Sequence, residues 1–441
     1  MKKYLVAAIV LLIVLALAPL AVGKMVEARI DRGLNQVVLQ APFLRIAERK
    51  YHSGWFTSRM DVTFELFSGV GGESLAPRFT VHGDILHGPI LGAGIGMARV
   101  RTHFELPDSA RKEMEKFFGT EEPFSITTTV GFSGGAATVV TSEAHQYSSA
   151  NETLAWDPLK LVIASSGNGE SFTIDGKWPR FEGNSADGSK IALRGMRVTG
   201  AGKRLVGELF DTDLDFGIDE LQVAEPNETI KVADLHYIAA TEPHGDLLDM
   251  STKLGAGAIK TGQIDLKEAH YDFTMRRLHI ATFDKLMTEF KTAYTRPEKS
   301  PVSLEHGIPE PYKGYGLELL KHDPELSIDR LGFVTGEGAG YITGTIKLKG
   351  VVPQDLDAGS LGLINRIVAD INVDVSEAML AKLSGSTDAA DGVVKQGLAE
   401  RKDGHLLSKI LFQDGKLSIN GKVQPLPGFG GSAPPPPTSR E

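Results

Sequence analysis

The chain has 441 residues, 41% of them hydrophobic and 23% charged, a composition that supports one large or two ordinary folded domains rather than a disordered chain. Its net charge is −9 and no basic stretch relieves it, so it would repel a phosphate backbone and nucleic acid is not an expected partner. It has no cysteine, which excludes disulfides, thiolate nucleophiles, zinc–thiolate sites, iron–sulfur clusters and a lipidated cysteine.

Lys2 and Lys3 precede an uncharged stretch from Tyr4 to Gly23 that is mostly Leu, Ile and Val. Such residues each contribute roughly −0.3 to −0.6 kcal/mol to insertion at a helix centre. At 1.5 Å per residue the stretch makes a helix about 30 Å long, the thickness of a hydrocarbon core. The pattern predicts a transmembrane signal-anchor over residues 1–23 that holds the chain in a membrane through residues 4–23. The two lysines keep the N-terminus cytoplasmic and send everything after Lys24 outward. The competing reading is a cleavable signal peptide. Its apolar region is normally only roughly 7–15 residues long. Ala16-Leu17-Ala18 is followed by an obstructing Pro19, and Ala21-Val22-Gly23 is the better cleavage site. Either reading exports the rest of the chain.

From Lys24 the spacing turns helical, with Val26, Ile30, Leu34, Val37 and Val38 on one face and Glu27, Arg29, Asp31, Arg32 and Gln36 on the rest. This predicts an amphipathic juxtamembrane helix over 24–45, stopped near Pro42. Three roles stay open for it: a stalk, a homodimerising face, or packing on its own domain.

The period then changes to two. Met60, Val62, Phe64 and Leu66 alternate with Arg59, Asp61, Thr63 and Glu65, and Ala369, Ile371, Val373 and Val375 alternate with Asp370, Asn372 and Asp374. Tyr271, Phe273 and Met275 follow Ile264 and Leu266 out of phase, which predicts a bulge near Glu268. Asp175-Gly176, Asp187-Gly188, Asp414-Gly415 and Asn420-Gly421 read as hairpin turns. Helical stripes occur at Ala110, Met114, Phe117 and Phe118, at Phe283 to Tyr294, after Ser376, and over 391–401. The expected fold is therefore mainly β (α+β). The transmembrane helix leads into an exported β-rich body over 46–424, an extensive curled antiparallel sheet with a few short helices. Four prolines between Thr295 and Tyr312 mark a sub-boundary at 295–312. Residues 425–441 form a proline-rich tail, either a disordered end or a ligand for a proline-binding partner.

Chemistry is harder to find. His82-Gly83-Asp84 with His87 is the densest cluster of possible ligands, but in a strand His82 and Asp84 share one face and His87 lies on the other. No further partners complete a metal site, so no metal and no cofactor are expected. Gly92-Ala93-Gly94-Ile95-Gly96 has the wrong glycine spacing for a dinucleotide loop, and no Walker lysine or Gly-x-Ser-x-Gly elbow occurs. Trp55, Trp156 and Trp178 line a sugar-binding face or belong to the core. No catalytic or ligand-binding residue can be named from the sequence.

Tyr51-His52-Ser53-Gly54-Trp55-Phe56-Thr57-Ser58 resembles the YdgA-like family of bacterial membrane-anchored envelope proteins of uncharacterised function. So do His87-Gly88-Pro89 and the closing run Gln413-Asp414-Gly415-Lys416-Leu417 with Asn420-Gly421-Lys422. The resemblance implies an anchor, a short amphipathic helix and then alternating strands. It implies no catalytic residues, and the proline-rich tail is not part of it. Physically, Gly54 lets the chain turn, and Trp55 and Phe56 are expected to dock as apolar anchors of a corner. The anchor and the family together predict a single-pass protein of the bacterial inner membrane with a periplasmic body. The expected function is a non-enzymatic binding or scaffold role toward a lipid, a glycan or another envelope protein. The alternative is an exported hydrolase acting on envelope material.

Overall fold

The computed structural model describes residues 44–424 apart from 67–77, 93, 106–110, 113, 114, 117, 121, 263, 296–309 and 358. The predicted anchor over 1–23, the juxtamembrane helix up to residue 43 and the tail 425–441 lie outside the described residues. Among the described residues no helix is long and apolar enough to cross a membrane. Residues 44 and 45, expected at the end of the juxtamembrane helix, open the first strand instead.

The described chain forms two compact units. The first takes the residues up to Thr241 with short returns at 260–262 and 287–295, and the second takes the rest. The first unit holds β1 (Leu44–Ser53), β2 (Thr57–Leu66), β3 (Arg78–His87), β4 (Ala98–Glu105), β5 (Ser125–Val130), β6 (Ala136–Ser142), β7 (His145–Ser148), β8 (Thr153–Trp156), β9 (Leu159–Ser165), β10 (Ser171–Asn184), β11 (Lys190–Val206), β12 (Leu209–Glu225) and most of β13 (Glu228–His244). Each strand pairs antiparallel with its neighbour in the chain. β6 with β7, and β8 with β9, act as the two halves of one kinked strand. No pairing joins β1 to β13 among the described residues, so the sheet of this unit is open.

Because paired residues share a face, one apolar row can be followed across the whole unit. Met60 lies opposite Gly83, then come Thr102, Ile126, Val140, Leu161, Gly176, Val198, Phe216 and Tyr237. We refer to this as the inner face. Its best-packed part is a cluster of Met60, Val62, Phe64, Ile85, Met97, Ala98 and Val100, with Phe64 stacked on Phe79 at 5.5 Å between ring centroids. The period-two reading of β2 is therefore realised, with Met60, Val62 and Phe64 inward.

Farther along, six strands share a crease. At the crease each strand repeats its inner residue after three positions instead of two, giving Ser142 and His145, Trp156 and Leu159, Trp178 and Phe181, Leu193 and Met196, Ile218 and Leu221, and Val232 and Leu235. One residue of non-extended backbone moves the next side chain back to the side it left. Gly195 (φ 65°) and Asp234 (φ 51°) supply it in β11 and β13, and Pro179 lies at the same level in β10. A proline in a central strand is tolerated here because the ladder is already interrupted. Trp178 and Phe181 have ring centroids 5.1 Å apart, as side chains on one face must. Gly195 cannot be replaced freely, since a Cβ there would fall 1.9 Å from Asp219 Oδ2.

The remaining elements are β14 (Leu247–Ala256), β15 (Ala258–Lys260), β16 (Asp265–Leu266), β17 (Glu268–His279), α1 (Ile280–Thr295), α2 (Glu310–Leu320), β18 (Glu325–Thr335), β19 (Gly338–Leu348), α3 (Pro353–Asp357), α4 (Gly359–Ile364), β20 (Ile367–Ser376), α5 (Glu377–Ser384), α6 (Ala389–Lys395), β21 (Glu400–Lys402), β22 (His405–Gln413), β23 (Lys416–Ile419) and β24 (Lys422–Gln424). The second unit is again an antiparallel meander, β14–β17–β18–β19–β20–β22–β23–β24. α5 follows Ser376 as expected and is capped at both ends: Ser376 Oγ accepts from Met379 N, and Gly385 closes it with φ 68°. The helix expected over 391–401 is shorter, because residues 400–402 pair with β22. Where a bulge was expected near Glu268, the strand is interrupted at Lys267 between β16 and β17.

Asp187-Gly188, Asp414-Gly415 and Asn420-Gly421 are turns. Asp175-Gly176 is not; it lies in the middle of β10. Its glycine answers to packing, since a Cβ would meet Leu161 Cδ1 at 2.7 Å and Val198 Cγ1 at 3.0 Å. Trp55 and Phe56 correct another expectation. They are 49% and 56% exposed, so the corner is not anchored by their rings. Accordingly Phe64→Ala is expected to cost about 3–5 kcal/mol and Trp55→Ala about 1 kcal/mol or less in urea unfolding. Equal costs would contradict this placement of the core.

Candidate binding site

Beyond the crease the inner face becomes an apolar trough. Trp156 lies opposite Phe181, Phe181 opposite Leu193, Leu193 opposite Leu221, and Leu221 opposite Val232. The next row is Leu154, Gly183, Ile191, Val223 and Ile230. Phe118, from the helical segment before β5, closes one side; its ring is 4.9 Å from that of Trp156, and His145 stands 4.8 Å from the same ring. Trp156 is buried, and its Nε1 donates to Ser142 Oγ at 2.9 Å and to the Glu143 carbonyl at 2.8 Å. A cavity of about 440 Å³ lies against Phe118, Leu154, Ile191 and Val223, with Glu152 and Lys190 at its rim. That volume is within the roughly 300–1,000 Å³ of small-molecule pockets, and a mostly apolar wall with a few polar groups is their usual make-up.

Ile163, Ile191, Val223 and Ile230 on this face are exposed, and most of their neighbours are only half-buried. A trough of this kind can hold an apolar chain. Thr153, Ser185, Ser189 and Glu225 also border the cavity.

The residues singled out in the sequence are placed as follows. His82 and Asp84 share the outer face of β3, and His87 is buried on the inner face, as strand alternation requires. His82 Nδ1 donates to Asp61 Oδ1 at 2.5 Å, and its Nε2 lies 3.0 Å from Glu105 Oε2. His103 stands between Glu122 (2.6 Å) and Asp84 (3.3 Å). Among the described residues no group of three or more His, Cys, Asp or Glu is arranged to hold a metal ion. Trp156 and Trp178 approach the same crease and both contact Phe181, whereas Trp55 is elsewhere.

Sequence reasoning missed one pairing. His87 Nδ1 is 3.1 Å from the Trp55 carbonyl and Nε2 is 2.9 Å from Ser58 Oγ, while His87 N donates to the Phe56 carbonyl at 2.8 Å. A carbonyl can only accept, so in the neutral ring Nδ1 carries the proton and Nε2 accepts from Ser58. That polarity is the one a serine nucleophile and its base would have. Both side chains are buried, however, so the pair fastens the β1–β2 corner to the end of β3. The Gly-Trp-Phe-x-Ser and His-Gly-Pro motifs thus meet in space; only their adjacency in the fold could have revealed it.

The family described as "Bacterial protein of unknown function (DUF945)" matches residues 1–427, and the chain belongs to that family. It is similar to Protein YdgA of Escherichia coli (strain K12), 20% identical over 494 positions that include 93% of this chain and 91% of that protein. The chain is thus a member of a YdgA-like family of unknown function. No solved structure matches.

The outer-face network has a pH signature. The hydrogen bond to Asp61, aided by Glu105, outweighs desolvation and raises the His82 pKa above 6.5, and the same bond lowers that of Asp61. The folded protein therefore holds the His82 proton more tightly than the unfolded chain. That contribution is full below about pH 6.5 and is lost as pH rises through the higher folded value. The Asp61 contribution is present above the usual carboxylate range and is lost on acidification. His82→Gln is expected to lower the melting temperature at about pH 6, with the difference shrinking as pH rises through the raised folded-state value. A difference independent of pH would show that the pair does not titrate in this way.

Proposed function

We propose that this is an exported, membrane-anchored bacterial envelope protein whose β-rich body holds acyl chains on an open apolar sheet face. The role is one of binding or scaffolding rather than hydrolysis. The observation that carries it is the inner face of the first unit, which runs without interruption across the crease into a cavity of about 440 Å³ while several of its Ile and Val side chains stay exposed. Contiguous exposed apolar surface of this kind marks a ligand groove or an interaction site. The anchor is supported by the uncharged stretch Tyr4 to Gly23 behind Lys2 and Lys3. In this reading the N-terminus lies in the cytoplasm, residues 4–23 in the inner membrane and the body in the periplasm.

Mass spectrometry of lipids co-purified with the intact chain tests the binding reading. The parent should carry phospholipid or fatty acid. Val223→Asp, which puts a charge into the trough at an already exposed position, should remove most of it with the circular dichroism spectrum unchanged. A folded variant with the same lipid content would overturn the assignment. The topology is tested separately: a reporter active only outside the cytoplasm, fused after Tyr312, should be active. Leu12→Arg should impair insertion, since Arg at a helix centre costs about 2.5–3.5 kcal/mol. Cytoplasmic-only reporter activity would remove the periplasmic body.

A further inference from the structure

The end of the first unit that carries the β1–β2, β3–β4 and β5–β6 loops differs from the rest of its surface. In an antiparallel meander these three loops lie at one end, and backbone hydrogen bonds tie them together there: His87 N to the Phe56 carbonyl at 2.8 Å, and Met97 N to the Val130 carbonyl at 2.7 Å. Each loop presents large apolar side chains to solvent. Trp55 and Phe56 do so on the first, Ile90 (67% exposed) and Ile95 (79%) on the second, and Phe132 (56%) on the third. None of them belongs to the inner-face trough.

Directly beside these tips is a second cavity, of about 640 Å³, bordered by His52, Gly54, Thr57, Arg59, Arg99 and Arg101, with Asp84 as its acidic side chain. The register puts the charged groups together on the outer face: Arg59 opposite Asp84, Asp84 opposite Arg101, and Leu86 opposite Arg99. Arg59 leans on Asp61 at 3.3 Å, and Arg101 reaches Glu122 at 3.6 Å. Arg99 has no ionic or hydrogen-bond partner among the described residues, and its Nε is buried. Its guanidinium lies near the backbone of Gly92 and Gly94, where a Cβ on either would be 3.7 Å away. With Arg59 on Asp61 and Arg101 on Glu122, Arg99 is the guanidinium at this cavity left without a carboxylate partner among the described residues.

We propose that this loop end docks on the surface of a bilayer containing anionic phospholipids. The apolar tips enter the interfacial region and the arginine cavity receives a headgroup phosphate. Trp and Phe are favoured at the headgroup level, where one end of the ring is wet and the other apolar. Planar guanidinium groups suit phosphate oxygens, to which each can donate two hydrogen bonds. The docking is separate from the acyl-chain reading, because the tips and the arginines lie outside the trough and none of its residues is needed.

The test uses the full chain and the fluorescence of Trp55, read by quenching from phospholipids with brominated chains. The chain is reconstituted in phosphatidylcholine vesicles in which the brominated lipid is phosphatidylcholine or phosphatidylglycerol. In a second arm, protein-bearing unbrominated phosphatidylcholine vesicles are mixed with brominated phosphatidylglycerol vesicles, which separates docking on the chain's own membrane from docking on another. Quenching that requires phosphatidylglycerol, in either arm, and that disappears in Trp55→Phe is the expected result. Each of Arg99→Gln and Arg101→Gln should weaken it about fivefold, and added salt should do the same. Arg101→Gln serves if Arg99→Gln fails to fold. Absence of Trp55 quenching in both arms would overturn the proposal, as would quenching indifferent to phosphatidylglycerol and to both arginines. Cross-linking of two copies through the tips, or binding of inorganic phosphate without vesicle contact, would overturn it as well.

Discussion

Every strand of the first unit has to keep its apolar side chains on the same side of an open sheet, although several strands are too long and too kinked for plain alternation to do so. A strand that slips by one residue turns its whole apolar set outward. The crease meets this constraint in six neighbours at the same level. Each gives up one extended residue there, and each resumes alternation with the apolar set back on the inner face. Trp178, Phe181 and Trp156 sit at the junction with their rings in contact, so the aromatic cluster and the trough beyond it both depend on that shared irregularity.

The outer face at the same level is laced with charge. Arg180 meets Asp157 and Glu182, Arg194 meets Glu182 and Glu220, and Arg197 meets Asp219 at 2.6 Å. Exposed pairs of this kind are each worth little. Their effect is on register, since a slipped strand would put these charges on the apolar side, where an unpaired charge is very unfavourable. Carboxylates and histidines pair on the outer face elsewhere in this unit too, as in Asp61–His82 and Glu122–His103. What is left over on this unit is apolar surface on the inner face and, at one end, Arg99, unpartnered among the described residues.

The Ser58–His87 contact joins the two short motifs that also carry the family resemblance. It fixes where the β3–β4 loop leaves the sheet relative to the β1–β2 corner. A buried serine–histidine pair can resemble the start of a catalytic site; here it ties the β1–β2 corner to the end of β3, and Ser58 also borders the cavity of about 640 Å³. The exposed Trp55 and Phe56 are free of a core role because their carbonyls, not their rings, hold the corner.

The mainly β class, the inward set of β2, the outward Asp370 and Asp374 of β20 and the short helix after Ser376 were legible in the sequence, because each depends on residues a few positions apart. Periodicity and capping are local properties of the backbone. Asp175-Gly176 misled for the same reason: a glycine needed to make room for Leu161 and Val198 looks identical to a glycine needed for a turn until the neighbouring strands are in place. The trough, the crease, the Ser58–His87 contact and the gathering of Arg59, Arg99 and Arg101 were decided only by the tertiary structure. Each is set by which strands become neighbours, and antiparallel pairing brings together residues whose separation in the chain carries no chemical signal.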